Sequence, residues 1–205
     1  MRISEIFDKV KGTKVIIAGD SMIDSYTLGR IERESPEAPV PLINVEKEKI
    51  KLGGAANVAL NIKSLGLEPI LCTVVGEDSD GDDFMRLCKE NNLNTQGIIV
   101  DRSRKTTNKN RVIVNDKHII RIDNENTNNI SKKVRDKFLE TVNKLSAKSE
   151  IIIFQDYDKG TLDRYIINDI IKENKHSFIS VDPKNRNFFN YKNIDLFKPN
   201  LNEIL

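Results

Sequence analysis

Two acidic residues follow the first strand-like run of the sequence and could accept hydrogen bonds from the hydroxyl groups of a ligand. The run KVIIAGD (14–20) ends in Asp20, and Asp24 lies a few residues further on. Because open α/β sheets bind ligands outside the carboxyl ends of their strands, both residues are candidates for a binding site. The spacing leaves a second interpretation open, in which Asp20 caps a turn and Asp24 is solvated.

A pair of glycines could bring backbone N–H groups close to a ligand. Gly53 and Gly54 open the segment GGAANVALNIKSLG (53–66), which also contains Asn57. Glycine lets the backbone approach a ligand closely, and the N–H groups at a helix start attract oxygen atoms. Such pairs are also common for purely structural reasons. The segment matches neither a Walker-type loop nor the GxGxxG fingerprint, which disfavours a dinucleotide-dependent oxidoreductase.

Lys109 and Arg111 could together hold a phosphate group. They alternate along a strand-like stretch, and side chains two apart on a strand point to the same face. Three further basic residues precede them: Arg102, Arg104 and Lys105. A solvated basic edge is therefore the alternative. The stretch 98–123 lacks aromatic residues for base stacking, and the net charge is only +2, so no nucleic-acid partner is indicated.

Polar residues also mark the ends of three later strand-like runs. Asp156 ends EIIIFQD and is followed by Lys159, while Asp182 ends SFISVD and is followed by Lys184. A third run leads into Asn200-Leu201-Asn202-Glu203. The carboxyl ends of parallel strands meet at one edge of a sheet, so the sequence predicts one ligand-binding rim.

The elements that must position these residues alternate between short apolar runs and amphipathic stretches. This alternation predicts an α/β fold with a mostly parallel sheet and helices on both faces. Strands are predicted at 14–20, 69–76, 150–156, 177–182 and 193–200. Helices are predicted at 53–66, 82–92, 131–147 and 161–174.

Two segments interrupt the alternation and predict a small β-flap. Residues 26–50 contain three clustered prolines, which belong at the edges and bends of sheets. Residues 98–123 include RVIVNDKHIIRID, which is typical of a β-hairpin around Asn115 and Asp116. Such a flap could close over a ligand as a lid or pair with a second subunit.

Composition places the protein in the cytoplasm. Cys72 and Cys88 are too few for a disulfide framework or a four-thiolate zinc site, and we expect both thiols to be reduced. The first ten residues contain no signal-peptide core, and no apolar run approaches the roughly 20 residues that span a bilayer. The chain ends just after residues 200–203, which resemble a helix start, so we expect C-terminal truncation.

The motifs resemble those of a known enzyme family. GDSMIDSYTLGRIERESPEAPVPLINVE resembles the opening of the D-glycero-β-D-manno-heptose-7-phosphate kinases, within the ribokinase-like (PfkB-type) carbohydrate kinases. GGAANVALNIKSLG is similar to their first glycine motif, and KNRVIVNDKHIIRID to their flap hairpin. QDYDKG, VDPKN and KPNLNE follow in the family's order, so the resemblance runs from about residue 14 to the end.

The resemblance implies a ribokinase-like three-layer αβα fold, here as a partial kinase domain over 1–205 with its β-flap. It also implies phosphorylation of the anomeric hydroxyl of heptose 7-phosphate by ATP with Mg²⁺, toward ADP-heptose, in a homodimer formed through the flap. Carried over residue by residue, the sugar and its 7-phosphate would be held by Asp24, Gly53, Gly54, Asn57, Lys109, Arg111 and Asp123. Asp156, Lys159, Asp182 and Lys184 would line the cleft near the reacting phosphates. Asn200, Leu201, Asn202 and Glu203 would face ATP and the Mg²⁺ shell, without a direct metal ligand.

One departure from the family concerns the catalytic base. In the family this base is the Asp of a Gly-Ala-Gly-Asp motif, which would lie downstream of Leu205, so no catalytic residue is assigned in this chain. Because phosphoryl transfer needs a group that takes the hydroxyl proton, we expect these residues alone to be inactive. The alternative is a non-catalytic module that binds sugar phosphates or dimerises and is completed by another chain.

Overall fold

A six-stranded parallel sheet forms the centre of the protein, whose computed structural model describes residues 2–147 and 149–204. The chain builds the sheet outward from β1, first to one side with β4 and β5 and then to the other with β8, β9 and β10. The strands are β1 Lys14–Gly19, β4 Glu68–Gly76, β5 Ile98–Asp101, β8 Ile151–Gln155, β9 Phe178–Asp182 and β10 Leu196–Phe197. The strand order reverses at β1, and ligands of open α/β sheets bind outside the carboxyl ends at such a reversal.

Two apolar cores cover the two faces of the sheet, which makes three layers. Val15 and Ile17 of β1 face one core, while Ile16 and Ala18 face the other, as the two-residue period of a strand requires. Helices close both sides, with α2 and α3 over the first core and α4 and α5 over the second. The helices are α1 Ile3–Val10, α2 Ala55–Ser64, α3 Ser79–Glu90, α4 Lys132–Ser146, α5 Arg164–Glu173 and α6 Leu201–Ile204. A 3₁₀ helix occupies Asn185–Asn190.

Side-chain caps determine where three of the helices begin. Asp78, Ser131 and Asp163 each accept a hydrogen bond from a backbone N–H in the first turn of α3, α4 and α5. These bonds satisfy donors that a helix start leaves without an intrahelical partner. Among the described residues, no helix is long and apolar enough to cross a membrane.

The β-flap is a separate four-stranded sheet in the order β3-β2-β6-β7. Its strands are β2 Ser21–Glu34, β3 Pro41–Gly54, β6 Asn108–Val114 and β7 Lys117–Asn124. The two segments that interrupt the α/β alternation thus join in one sheet, as predicted. Both residues of the predicted hairpin turn, Asn115 and Asp116, have positive φ angles of 49° and 60°.

Several predicted boundaries were wrong. Residues 98–101 do not belong to the flap, because they pair in parallel with β4 in the central sheet. Gly53 and Gly54 end β3 and do not start the helix, which begins at Ala55. The last predicted strand, 193–200, shrinks to the two residues of β10, because only Leu196 and Phe197 pair with β9. Asn193, at the predicted start, has φ 57°, which lies outside the β region.

Asp20 joins the central sheet to the loop that follows β8. Its buried carboxylate accepts hydrogen bonds from the backbone N–H groups of Tyr157, Lys159 and Thr161, at 2.9–3.0 Å. Its own carbonyl accepts from the N–H of Ala55, at the start of α2. Of the two interpretations of Asp20, the structure therefore favours the one in which it shapes a turn.

We predict that Asp20→Ala lowers the free energy of unfolding by about 3–5 kcal/mol, because one buried and two part-buried N–H groups lose their acceptor. Urea unfolding followed by circular dichroism measures this loss. Asp195→Ala is the matched control, since the exposed Asp195 accepts one backbone N–H, from Ile179, and its loss should cost about 1 kcal/mol. Equal losses in the two variants would contradict the role of Asp20.

Candidate functional site

One face of the flap concentrates positive charge. Paired residues of neighbouring strands point to the same side, and the register aligns Asp24 with Lys51 and Lys109, and Tyr26 with Arg111. This cationic face carries six basic residues: Lys47, Lys49, Lys51, Lys109, Arg111 and Arg121. Its two carboxylates are Asp24 and Asp123. The excess of basic residues favours an anionic ligand.

Asp24 and Arg111 form a close ion pair on the cationic face. Arg111 Nη1 lies 2.6 Å from Asp24 Oδ1, and both side chains are 23% exposed. This hydrogen bond raises the pKa of Arg111 above its ordinary value, against the opposing effect of burial. Arg111 and Lys51 each lie 5.5 Å from the centre of the Tyr26 ring, close enough for cation–π attraction. The pair is thus held in a fixed position where a ligand can reach it.

The glycine pair is required by the space around it. A Cβ atom on Gly53 would lie 2.4 Å from Asp24 Oδ2, so only glycine leaves room for that carboxylate. Gly54 has φ 58°, and a Cβ there would lie 2.4 Å from the carbonyl oxygen of Asp20. Asn57 is exposed in the first turn of α2, three residues beyond Gly54. The structure therefore places the Asp24 carboxylate against Gly53, at the end of β3 that leads into α2.

A second group of charges joins the flap to the body. Lys109 Nζ lies 3.5 Å from Asp123 Oδ2 and 3.9 Å from Glu125 Oε2. Lys159, in the loop after β8, donates a hydrogen bond of 2.8 Å to the other oxygen of Glu125. Arg121 holds Asp123 with two hydrogen bonds of 2.8 and 3.0 Å. Lys109, Asp123 and Lys159 thus lie around Glu125, although the sequence analysis assigned Lys159 to the reacting phosphates and not to this group.

The rim residues beyond β9 form a third group. Lys184 and the side chain of Glu203 form an ion pair, which with the N–H of Asn200 lowers the pKa of Glu203 although burial alone would raise it. Glu203 and Asn200 also form a reciprocal capping box, with bonds of 2.7 and 3.1 Å. Asp182 accepts hydrogen bonds from Gln155 at 2.9 Å and Lys198 at 3.4 Å. Leu201 and Asn202 are exposed.

Asp156 differs from the expectation that it lines the cleft. Its side chain is buried, and its oxygens accept hydrogen bonds from Tyr191 Oη, Asn187 Nδ2 and the Asp158 N–H, at 2.7, 3.0 and 2.9 Å. Burial, with a smaller contribution from the nearby charge of Asp20, raises the pKa of Asp156 to about 6. The carboxylate points into the protein because these donors satisfy it there, so its place is behind the rim.

Glu125 is the member of the site that the sequence analysis missed. It lies one residue beyond β7 and shares the two-residue alternation of Asp123, which was the available sequence pattern. The basic residues of β6 suggested a binding role, whereas an acidic residue such as Glu125, after an edge strand, is normally interpreted as solvated. Its partner Lys159 is far along the chain, so the contact exists only in the folded protein.

The fold defines a class of protein, namely α/β proteins with a parallel central sheet and a separate four-stranded β-flap. Phosphofructokinase-2 from Escherichia coli superposes with a TM-score of 0.71 at 17% identity, over 94% of this chain and 62% of that one. A nucleoside kinase of the ribokinase family from Methanocaldococcus jannaschii superposes with a TM-score of 0.63 at 17% identity, over 95% and 62%. At these identities the likeness establishes the fold alone.

Sequence comparison establishes the family. The model of the pfkB family carbohydrate kinases matches residues 13–205, and this chain belongs to that family. The bifunctional protein HldE of Helicobacter acinonychis is 41% identical over 93% of the chain, and that of Campylobacter fetus is 36% identical over 92%. The chain spans 42% and 41% of the length of these two relatives.

We predict that Asp156 makes stability depend on pH. A carboxyl group whose folded pKa is raised to about 6 from 3.8 stabilises the protein below about pH 4 and loses that contribution as the pH rises to 6. Asp156→Asn should therefore gain about 2 kcal/mol relative to the unaltered protein between pH 4 and pH 7. Urea unfolding at both pH values tests this, and a difference between the proteins that stays constant with pH would contradict it.

Proposed function

We propose that this chain supplies the sugar-phosphate side of an ATP-dependent heptose 7-phosphate kinase. The reaction is phosphorylation of D-glycero-β-D-manno-heptose 7-phosphate at its anomeric hydroxyl, giving the 1,7-bisphosphate for ADP-heptose biosynthesis. The observation that carries the proposal is the cationic flap face, where Lys109 and Arg111 flank Asp24 above the glycine pair. Membership of the pfkB family supports a phosphoryl transfer to a sugar.

Lys109 and Arg111 suit the 7-phosphate of the substrate. Lys109 Nζ has three donors, yet its contacts with Asp123 and Glu125 are long, at 3.5 and 3.9 Å. Its side chain is only 15% exposed, so water compensates little for the missing bonds. A phosphate oxygen would supply a strong, charge-assisted bond. Arg111 adds a planar guanidinium group, the geometry that binds phosphate best.

The remaining predicted residues suit the sugar hydroxyls. Asp24 Oδ2 lies over Gly53 while its other oxygen is held by Arg111, so one carboxylate oxygen is available to accept from a hydroxyl. Asn57 offers both a donor and an acceptor at the start of α2. The missing side chain of Gly53 leaves room for this carboxylate at that position. Together these groups would hydrogen-bond the sugar hydroxyls, while the cations of the flap would bind the phosphate.

The rim beyond β9 suits the ATP side of the reaction. Asn200, Asn202 and Glu203 carry oxygen atoms that could accept hydrogen bonds from the water shell of Mg²⁺, and Lys184 is held beside Glu203. Mg²⁺, when bound with ATP, neutralises charge on the phosphates. Lys184 and Asp182 would orient the phosphates at the strand ends. The γ-phosphoryl group passes to the anomeric oxygen, and the hydroxyl proton passes to a base that we place outside these residues.

A dimer-forming, sugar-phosphate-binding module is the second candidate function. It is favoured by the opposite face of the flap, where Ile120 and Ile122 of the edge strand β7 are 55% and 54% exposed. Exposed apolar side chains on an edge strand favour contact with another chain. We propose a second copy as that chain, in a homodimer formed through the flap. Because the reaction consumes ATP, we place the protein in the cytoplasm.

A side-by-side assay of ATP consumption tests the proposed function. This chain and its extended reading frame are each incubated with ATP, Mg²⁺ and heptose 7-phosphate. We expect turnover from the extended protein and substrate binding without turnover from this chain, because the base lies outside it. Absence of heptose 7-phosphate binding by both proteins would disprove the assignment.

We predict that Lys109→Ala weakens the binding of heptose 7-phosphate about tenfold to a hundredfold, since charge-assisted hydrogen bonds contribute about 1.5–3 kcal/mol. ATP affinity of the extended protein should change less than about twofold, measured by calorimetry on the same samples. Lys47→Ala is the matched control, because the exposed Lys47 occupies the same face further along β3. An unchanged sugar-phosphate affinity would assign Lys109 to the solvated edge.

A further inference from the structure

Glu125 occupies an unusual position between the flap and the body. Its Oε1 accepts a 2.8 Å hydrogen bond from Lys159 of the loop after β8. Its Oε2 is buried and has no hydrogen-bond partner among the described residues. Lys109 Nζ lies 3.9 Å from Oε2, too far for a hydrogen bond. One carboxylate thus contacts a body lysine with one oxygen and approaches a flap lysine with the other.

The two unsatisfied groups are complementary to one kind of ligand. A buried carboxylate oxygen without a donor is costly, and so is the incompletely bonded ammonium group of Lys109. A ligand phosphate would satisfy Lys109, and a ligand hydroxyl would satisfy Glu125 Oε2. Inorganic phosphate can bind Lys109 but offers no sugar hydroxyl to Glu125 Oε2.

We propose that Glu125 is a specificity-determining residue that selects ligands carrying a phosphate and a hydroxyl group together. When the phosphate binds, Lys109 turns from Glu125 toward it, and the uncovered Oε2 accepts a hydrogen bond from the hydroxyl of the same ligand. The inference rests on the proposed function in one respect, namely that the ligand is a sugar phosphate. It assigns to that site a recognition element on the body side of the flap.

The surrounding backbone is held firmly, so the response to a ligand falls on the side chain of Lys109. Arg104 Nη2 donates hydrogen bonds to the carbonyl oxygens of Asn126 and Lys159, which flank the Glu125–Lys159 pair. The Lys159 N–H is itself bound to Asp20. Glu125 is therefore presented at a fixed place, while Lys109 keeps a long, flexible side chain.

Binding of heptose 7-phosphate and of inorganic phosphate to this chain tests the inference, through the ratio of their two dissociation constants. Glu125→Ala should weaken heptose 7-phosphate so that the preference over inorganic phosphate falls about tenfold, the size expected for one charge-assisted hydrogen bond. Inorganic phosphate itself should bind equally well or more tightly, because a negative charge beside two lysines has been removed. Isothermal titration calorimetry measures both constants.

Two variants complete the design. Glu125→Gln keeps the shape and one acceptor oxygen and should lower the preference by a smaller factor, which preserves the test if Glu125→Ala does not fold. Glu46→Ala is the control, since Glu46 pairs with Arg30 on the surface of the flap and should leave the preference unchanged. An unchanged preference in both Glu125 variants, or equal weakening of both ligands, would overturn the inference alone. If the unaltered protein does not bind heptose 7-phosphate, the proposed function fails as well.

Discussion

The structure depends on a single buried carboxylate at the end of the first strand. Asp20 accepts three backbone N–H groups from the loop after β8, and its own carbonyl receives the first N–H of α2. A buried charge is tolerated only where donors surround it, so the loop must adopt the one path that supplies them. That path places Lys159 beside the flap and Asp156 behind the rim. The loop at the strand-order reversal thereby contacts the flap, through Lys159 and Glu125.

In the candidate site, most basic side chains are paired with carboxylates of the same site. Arg111 is paired with Asp24, Lys159 with Glu125, Arg121 with Asp123, and Lys184 with Glu203. Cations gathered on one face repel each other unless carboxylates lie between them, which explains why acidic residues are interleaved with the basic ones. Lys109 is the least satisfied of the group. In the proposed function, Lys109 is therefore the first partner of an anionic ligand.

Much of the fold could be read from the sequence. The strand β1, the helix α4 and the two-segment flap lie where apolar periodicity and turn residues placed them, since burial on both faces or one face leaves a distinct pattern. The errors lie at boundaries. Residues 98–101 were assigned to the flap but pair with β4. The error arose because the sequence of a short apolar run does not show which of two sheets it joins. The strand β10 is shorter than predicted, because the folded chain decides which residues of 193–200 pair with β9.

The sequence by itself determined which residue types lie at the strand ends and that Lys109 and Arg111 share one face of β6. Only the tertiary structure decided their partners and directions. Asp24 pairs with Arg111, 87 positions away in the sequence, and Glu125 with Lys159, 34 positions away. Asp156 points into the protein because Tyr191 and Asn187 donate hydrogen bonds to it there. Periodicity specifies the side of an element on which a side chain lies. The donor or acceptor that it meets depends on packing between elements distant in sequence.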